Sequence, residues 1–494
     1  MDKWVCVFFN IQKFGLLPWK RFLFLPFFFL VFQGIHAQLP GHLFLLNDNF
    51  HAQIANPSYQ RIDDAVIIAF PGLSGLVLGN YGNTGINGFD YNLLPAEITG
   101  EPGFFNNEGK TLSHLSENLW SPLVYVSIPA KEGRVSFYLK ENAASWITFP
   151  GRSVLFFGNG NFPERFQDYR SGNINAQLTG YLEAGLGITR EVNSSLTAGI
   201  RGKLLFGSAF ARLDDWNFVI EPAENPQEIF LSMSGTGKLS VPYPVITDES
   251  DRMRLVDADS KIQQYLSNFS NPGLGFDAGL TWHRTESAQL TVTVSDIGLI
   301  WFRKGSYRLS QDESAVFENL EMAEVINIGA AEDYVLPLST VLNAKGILHN
   351  VYRPFVKETA FVQTISPKLY LHYRQILSPT LTMGITSQTI FQRKSFHILS
   401  GTVSKSAGNF QFLGGLSFQG TQRVTLGAGL QWTNSISQFF VATDNLTVLS
   451  QPGSRETFSV SLGMNLLLNQ PIKKKTPQRT GKFSSHRPFY RNYH

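Results

Sequence analysis

The sequence predicts an all-β fold, a transmembrane antiparallel up-and-down β-barrel, from three observations. Apolar and polar residues alternate with period two over segments of about 10–13 residues, longer than the 5–6 usual in soluble sheets and long enough for a tilted strand to cross a bilayer. No stretch approaches 18 consecutive apolar residues, so no helix is expected to span. The composition is poor in charge, 16%, yet holds 41 Phe and 43 Gly among 494 residues. Ordinary globular domains carry about 25% charge. Such a chain suits a wall with lipid on one face and water on the other.

The elements follow in order. Residues 20–37 place Lys20 and Arg21 before an apolar run from Phe22 to Phe32, broken by Pro26. Small and polar residues then lead to Ala37 and Gln38. This is the layout of a cleaved signal peptide over residues 1–37. Residues 38–62 are expected to form a short N-terminal plug or periplasmic segment, and residues 63–470 the barrel. Alternation is plainest at Leu178–Thr189, where Leu178, Leu182, Leu186 and Ile188 oppose Thr179, Tyr181, Glu183 and Thr189. The turn at 192–195 and the next alternating run, Leu196–Phe206, complete a hairpin. The same pattern recurs at 273–283, 290–295, 423–432 and 458–468. Trp282, Trp301 and Trp432 fall near strand ends, where interfacial girdles are expected. Residues 82–118 and 222–262 break the pattern and are expected to be long loops. Residues 471–494 lack periodicity and read as a basic, disordered periplasmic tail.

Charge excludes one class of partner. Residues 1–37 carry a net +3 and residues 471–494 a net +7, so the body between them is at −7 in a chain of +3 overall. A mildly acidic body argues against nucleic acid. The lone cysteine, Cys6, lies in the expected leader, which excludes disulfides and Cys-based metal sites from the mature protein. No phosphate-cradling loop, His-Glu-x-x-His or Gly-x-Ser-x-Gly is present, so no catalytic residue, cofactor or metal is expected and the chain reads as a non-enzyme.

Several stretches from about residue 45 to residue 470 resemble a family of uncharacterised outer-membrane barrels from Bacteroidota, itself distantly similar to FadL-type fatty-acid transporter barrels. The resemblance rests on Asn56-Pro57-Ser58-Tyr59, Phe70-Pro71-Gly72-Leu73-Ser74, Val135–Lys140, Phe149-Pro150 and Gly158-Asn159-Gly160-Asn161. With roughly that number of alternating segments, it implies about 14 strands and an outer-membrane location. It supplies no activity.

The functional candidates are polar residues on the lumen side of apparent strands: Glu183, Arg201, Lys203, Asp277, His283, His372, Arg374 and Arg423. Their bland role is mutual pairing inside the barrel, and their functional role a selectivity ring or solute-binding network. Two function classes follow. One is a porin-like transport barrel passing hydrophobic or amphipathic small molecules in the FadL manner, favoured by an ordered plug with an apolar pocket behind it. The other is a non-transporting scaffold or docking partner of secretion machinery or cargo, favoured by a filled lumen and long loops. Expected partners are outer-membrane lipid, hydrophobic small molecules and, through the basic tail, an anionic periplasmic or cell-wall component.

Overall fold

The computed structural model describes residues 44–46, 49–59, 65–69, 74–82, 112–131, 133–150, 171–222, 228–242, 245, 247–253, 268–318, 354–392, 395–419, 423–446 and 458–469. The expected leader and basic tail lie outside them. Among the described residues one short α-helix, α1 (Phe50–Ala55), precedes nineteen strand segments. These are β1 (Ala65–Ala69), β2 (Leu76–Gly82), β3 (Leu112–Ala130), β4 (Gly133–Pro150), β5 (Ser171–Asn193), β6 (Leu196–Pro222), β7 (Glu228–Ser240), β8 (Pro272–His283), β9 (Ala288–Phe302) and β10 (Ser306–Glu318). They continue with β11 (Phe355–Glu358), β12 (Phe361–Thr364), β13 (Lys368–Ser378), β14 (Leu381–Ile390), β15 (Phe396–Ala407), β16 (Phe410–Gln419), β17 (Arg423–Thr433), β18 (Ser437–Thr443) and β19 (Phe458–Asn469).

The segments close into one antiparallel barrel of 14 strands. β1 and β2 act as a single first strand, because both pair with β19 on one side and β3 on the other. β12 and β13 both pair with β9 and form another single strand. Closure of the first strand on the last removes the sheet edge that a lipid-embedded wall cannot leave unpaired. All the long connections, such as those after β2, β4 and β18, lie at one end of the barrel. Short turns at 194–195, 284–287, 379–380, 408–409 and 434–436 lie at the other end, together with the start of β1 and the end of β19. That polarity is the one outer-membrane-type barrels show, with both termini and short turns periplasmic.

Period two sorts the side chains as the wall requires. Leu186, Ile188, Ile200, Leu204, Leu274 and Leu280 face outward and are exposed. Their neighbours Thr189, Arg201, Lys203 and Asp277 face inward and are buried. Trp282 and Trp301, both about half exposed on the outer face, mark the two rims of this belt. Trp282 is opposite Leu290, 11 residues before Trp301 on β9. At a strand tilt of 40–45° that separation is about 27 Å across the membrane, matching an apolar band of about 25 Å.

Two departures from a plain barrel matter for function. First, the first strand is broken. From Ile68 to Leu76 it advances eight residues, while its partner advances four, from Leu466 to Leu462. The Phe70–Ser74 motif falls at this break. Gly75 closes it at φ +84°, with its Cα facing the β19 backbone so closely that any Cβ would overlap Leu462 O. Second, the wall is taller on one side. β6 is 27 residues long. Its first part, Leu196–Phe206, pairs with β8, and beyond Phe210 it pairs with β7 instead. β10 pairs with β7, and β11 with β10, so four strands continue above the level where β8 and β9 end. β7 falls inside the 222–262 stretch that reads as a loop in sequence. Its run Ser232-Met-Ser-Gly-Thr-Gly-Lys238 is too rich in small polar residues to show two distinct faces.

Candidate functional site

The lumen is occupied by the chain's own N-terminal segment. Phe44, Leu45, Leu46 and Phe50 to Ile54 are buried, as are Asn56 and Ser58. The Asn49 side chain caps α1, accepting from His51 N at 2.9 Å and Ala52 N at 3.3 Å. The other end of the helix is capped by the wall. The Arg201 guanidinium donates to Gln53 O at 2.8 Å and to Ile54 O, carbonyls that a six-residue helix leaves without partners.

Each face of the segment meets a different part of the wall. Tyr125 OH donates to Gln53 Oε1 at 2.5 Å, Thr189 Oγ1 to Pro57 O at 2.6 Å, and Gln411 Nε2 to Leu45 O at 2.9 Å. Ser58 Oγ lies 2.9 Å from Thr281 Oγ1. His51 is fully buried against the rings of Phe50, Trp120 and Phe440. Its Nε2 lies 2.9 Å from Ser74 O and its Nδ1 2.9 Å from Ser461 Oγ. A carbonyl only accepts, so Nε2 carries the proton and the neutral ring accepts from Ser461. His51 therefore ties the break in the first strand to the last strand across the closure seam. Small residues make room for the segment. A Cβ at Gly199 would stand 2.1 Å from Pro57 O, and one at Gly279 2.6 Å from Asn56 Oδ1.

Beside the helix's C-terminal end lies a charged layer. Lys203 Nζ sits among three carboxylates, 2.6 Å from Asp296, 2.7 Å from Asp277 and 3.1 Å from Glu183. Lys140 reaches Glu183 at 3.2 Å, Lys368 reaches Asp296 at 2.7 Å, and Arg201 reaches Asp277 at 3.2 Å. Tyr138 OH donates to Glu183, and the Arg201 guanidinium stacks on the Tyr138 ring at 4.9 Å. Every member except Lys368 is nearly fully buried, so each charge depends on its partners. A void of about 30 Å³, room for one or two waters, lies between this layer and the helix, lined by Ile54, Trp120, Tyr370, Lys140, Asp296 and Lys368. An apolar layer follows on the extracellular side, where Phe210, Phe302 and Phe361 pack with centroids 5.1–5.3 Å apart.

Of the residues singled out in sequence, the structure brings Glu183, Arg201, Lys203 and Asp277 into one network. His372 is separate, buried with Nδ1 2.8 Å from Thr386 Oγ1 and its ring against Phe44. Arg374 is buried two residues further along β13. His283 is half-buried at the turn end of β8, 3.3 Å from Thr197 Oγ1. The side chain of Arg423 lies outside the described residues. Alternation alone missed Tyr138, Lys140, Asp296 and Lys368. Asp296 is the instructive one, since strict alternation sends it into lipid. A β-bulge sets Ser295 and Asp296 against the single Asp277 of β8, with Asp296 at φ 60°. The bulge turns both side chains inward, and Asp296 N donates to Asp277 Oδ1 at 2.8 Å. An acid on a nominal lipid face was the available signal.

Among the described residues no group of three His, Cys, Asp or Glu is placed to hold a metal ion, and no helix is long and apolar enough to cross a membrane.

Residues 57–444 match a family described as "Family of unknown function (DUF5723)", and the chain belongs to that family. No curated protein matches it in sequence. Similar solved structures include the toluene transporter TodX of Pseudomonas putida, at 8% identity and TM-score 0.38 over 85% of this chain and 93% of that one. The toluene transporter TbuX of Ralstonia pickettii matches at 8% identity and TM-score 0.40, over 86% and 95%. A FadL homologue of Pseudomonas aeruginosa matches at 11% identity and TM-score 0.39, over 88% and 99%.

Proposed function

We propose that this chain is a plugged transport barrel that passes hydrophobic or amphipathic small molecules across the outer membrane when its N-terminal segment shifts. One observation carries the reading. The plug's apolar side chains Phe44, Leu45, Phe50 and Ile54 pack on Tyr370, Leu413 and Phe440 of the wall, so a shift of the plug uncovers an apolar lumen. The aromatic layer of Phe210, Phe302 and Phe361 continues the apolar path toward the extracellular side.

Locking the plug tests this. Ser58 Oγ and Thr281 Oγ1 are 2.9 Å apart, and Cys6 is the sole native cysteine. In the Ser58→Cys/Thr281→Cys protein, oxidation is expected to stop uptake of an amphiphile by proteoliposomes, and reduction to restore it. Equal uptake by the oxidised and reduced forms would rule out plug movement as the route.

The second reading, a docking scaffold, is favoured by the raised part of the wall formed by β6, β7, β10 and β11. In that case the locked barrel keeps its full activity in cells.

A further inference from the structure

The raised part of the wall carries a row of like charges. Arg212 of β6 is directly opposite Lys238 of β7, Lys238 is opposite Arg308 of β10, and Arg308 is opposite Lys357 of β11. Residues directly opposite in an antiparallel sheet project from the same face, so four cations from four adjacent strands form one line. At β6 and β7 the face is the inner one, and on β10 it is the exposed face, with Leu309 and Gln311 buried behind it. Arg212 is two residues beyond the lumen-facing Phe210, and Lys238 Nζ lies 5.5 Å from the ring of Phe361 in the lumen's aromatic layer. Arg308 and Lys357 are exposed, and Arg212 and Lys238 are half-buried. The Arg252 guanidinium stacks on Phe355, two residues before Lys357.

Such a row opposes folding, because like charges placed directly across a ladder repel. The nearby acids neutralise its Arg212 end alone. Asp214 salt-bridges Arg212 at 2.7 Å, and among the described residues no carboxylate salt-bridges Lys238, Arg308 or Lys357. Asp312 lies on the same face four residues beyond Arg308. Asp248 and Asp251 belong to the loop that meets β11, where Asp248 Oδ1 accepts from the Arg252 backbone. The charged layer deeper in the barrel alternates cations with anions, and the contrast marks this row as one that awaits an anion from outside.

We propose that the row binds an extended oligoanion, an acidic oligosaccharide, at the extracellular mouth. Strand spacing sets the four residues' backbones about 4.8 Å apart, close to the length of one pyranose unit, so an extended chain laid across the strands brings its carboxylates within reach of the flexible cationic side chains. A ligand with one charge would use one of the three cations that lack a salt bridge among the described residues, Lys238, Arg308 and Lys357. The site stands whether or not the plug moves, since it lies above the lumen and needs binding alone.

The test uses the full chain in detergent micelles. The probes are galacturonate oligomers of one, two and four units, a neutral glucose tetramer, and dodecanoate as a singly charged amphiphile, all followed by titration calorimetry. Affinity is expected to rise with each uronate unit and to fall with added salt. Arg308→Gln and Lys357→Gln are each expected to weaken the tetramer about twofold to fivefold, and the double variant about tenfold, as for exposed ion pairs. Both variants are expected to keep the heat-modifiable barrel band and to unfold at higher urea than the parent, because they relieve repulsion. The proposal is overturned if the glucose tetramer or dodecanoate binds as tightly as the uronate tetramer, or if affinity is independent of uronate length. Absence of tetramer binding at low salt, or its indifference to both substitutions, also overturns it.

Discussion

The two halves of the barrel wall solve the same problem differently. From β3 to β13 the lumen face carries Lys140, Glu183, Arg201, Lys203, Asp277, Asp296 and Lys368, paired into one network. From β14 to β19 the buried polar residues are hydroxyls and amides, such as Thr386, Gln388, Ser404, Ser417 and Gln438, with no buried charge among the described residues of those strands. The plug rests between them and is held unequally. The charged half caps its helix through Arg201, while the neutral half offers single bonds from Gln411 and Ser461. The difference teaches that charges frame one side of the plug, while on the other Leu413, Phe440 and Leu467 hold it by apolar packing.

The largest expected effect comes from breaking that frame. Asp277→Leu leaves Arg201 and Lys203 short of a counter-charge in a buried site and should cost about 3–5 kcal/mol, the range for a buried pair losing one member. Ser417→Ala on the neutral half removes one hydroxyl pairing with Ser400 and should cost about 1 kcal/mol. Urea unfolding in micelles measures both, and equal losses would erase the distinction between halves.

A second comparison uses glycines. Gly199→Ala on the charged half drives a Cβ into Pro57 O, which is plug backbone and cannot swing aside. It should push the plug off its seat at about 1–3 kcal/mol and expose the N-terminal segment to protease. Gly401 on β15 has nothing within 4 Å of its Cβ position, and Gly401→Ala should leave cleavage unchanged. If the two variants are cleaved alike, the plug does not press on the charged half as described.

The smallest effect sharpens the neutral half. Asp444 lies just past β18, and burial pushes its carboxyl up to about 7, against the hydrogen bond it accepts from Ser459 N. The folded chain keeps this proton where the unfolded chain has lost it. Its contribution is therefore complete below the unfolded value near 3.8 and is lost as pH rises through about 7. Asp444→Asn keeps the acceptor oxygen, and unfolding midpoints measured from pH 4 to pH 7 should lose that share of their slope. A variant with the parent's slope would assign the pH dependence elsewhere.

Alternation made the wall legible, because lipid and lumen impose opposite demands on successive residues. Glu183, Arg201, Lys203 and Asp277 stood out for that reason. Tyr138 and Lys140 were less visible, since an inward aromatic blurs the polar face of β4. Asp296 was hidden by a bulge that changes parity, and Lys368 by its place directly after Pro367 in a strand that is paired in two short pieces. The plug's seat could not be read at all. It is defined by bonds such as Gln411 to Leu45, across 366 residues, and no local pattern encodes them.

The bond from His51 to Ser461 joins positions 410 residues apart. It places almost the earliest described part of the chain against the last strand. A chain threaded outward from its N-terminus meets this contact only when nearly everything else has been made, so the plug spends the whole of assembly waiting for its partner. Loop closure over such separations is slow. The order of events then matters as much as the final contacts. If the last strand seals against the first before α1 is inside, the barrel is shut with its own key left outside.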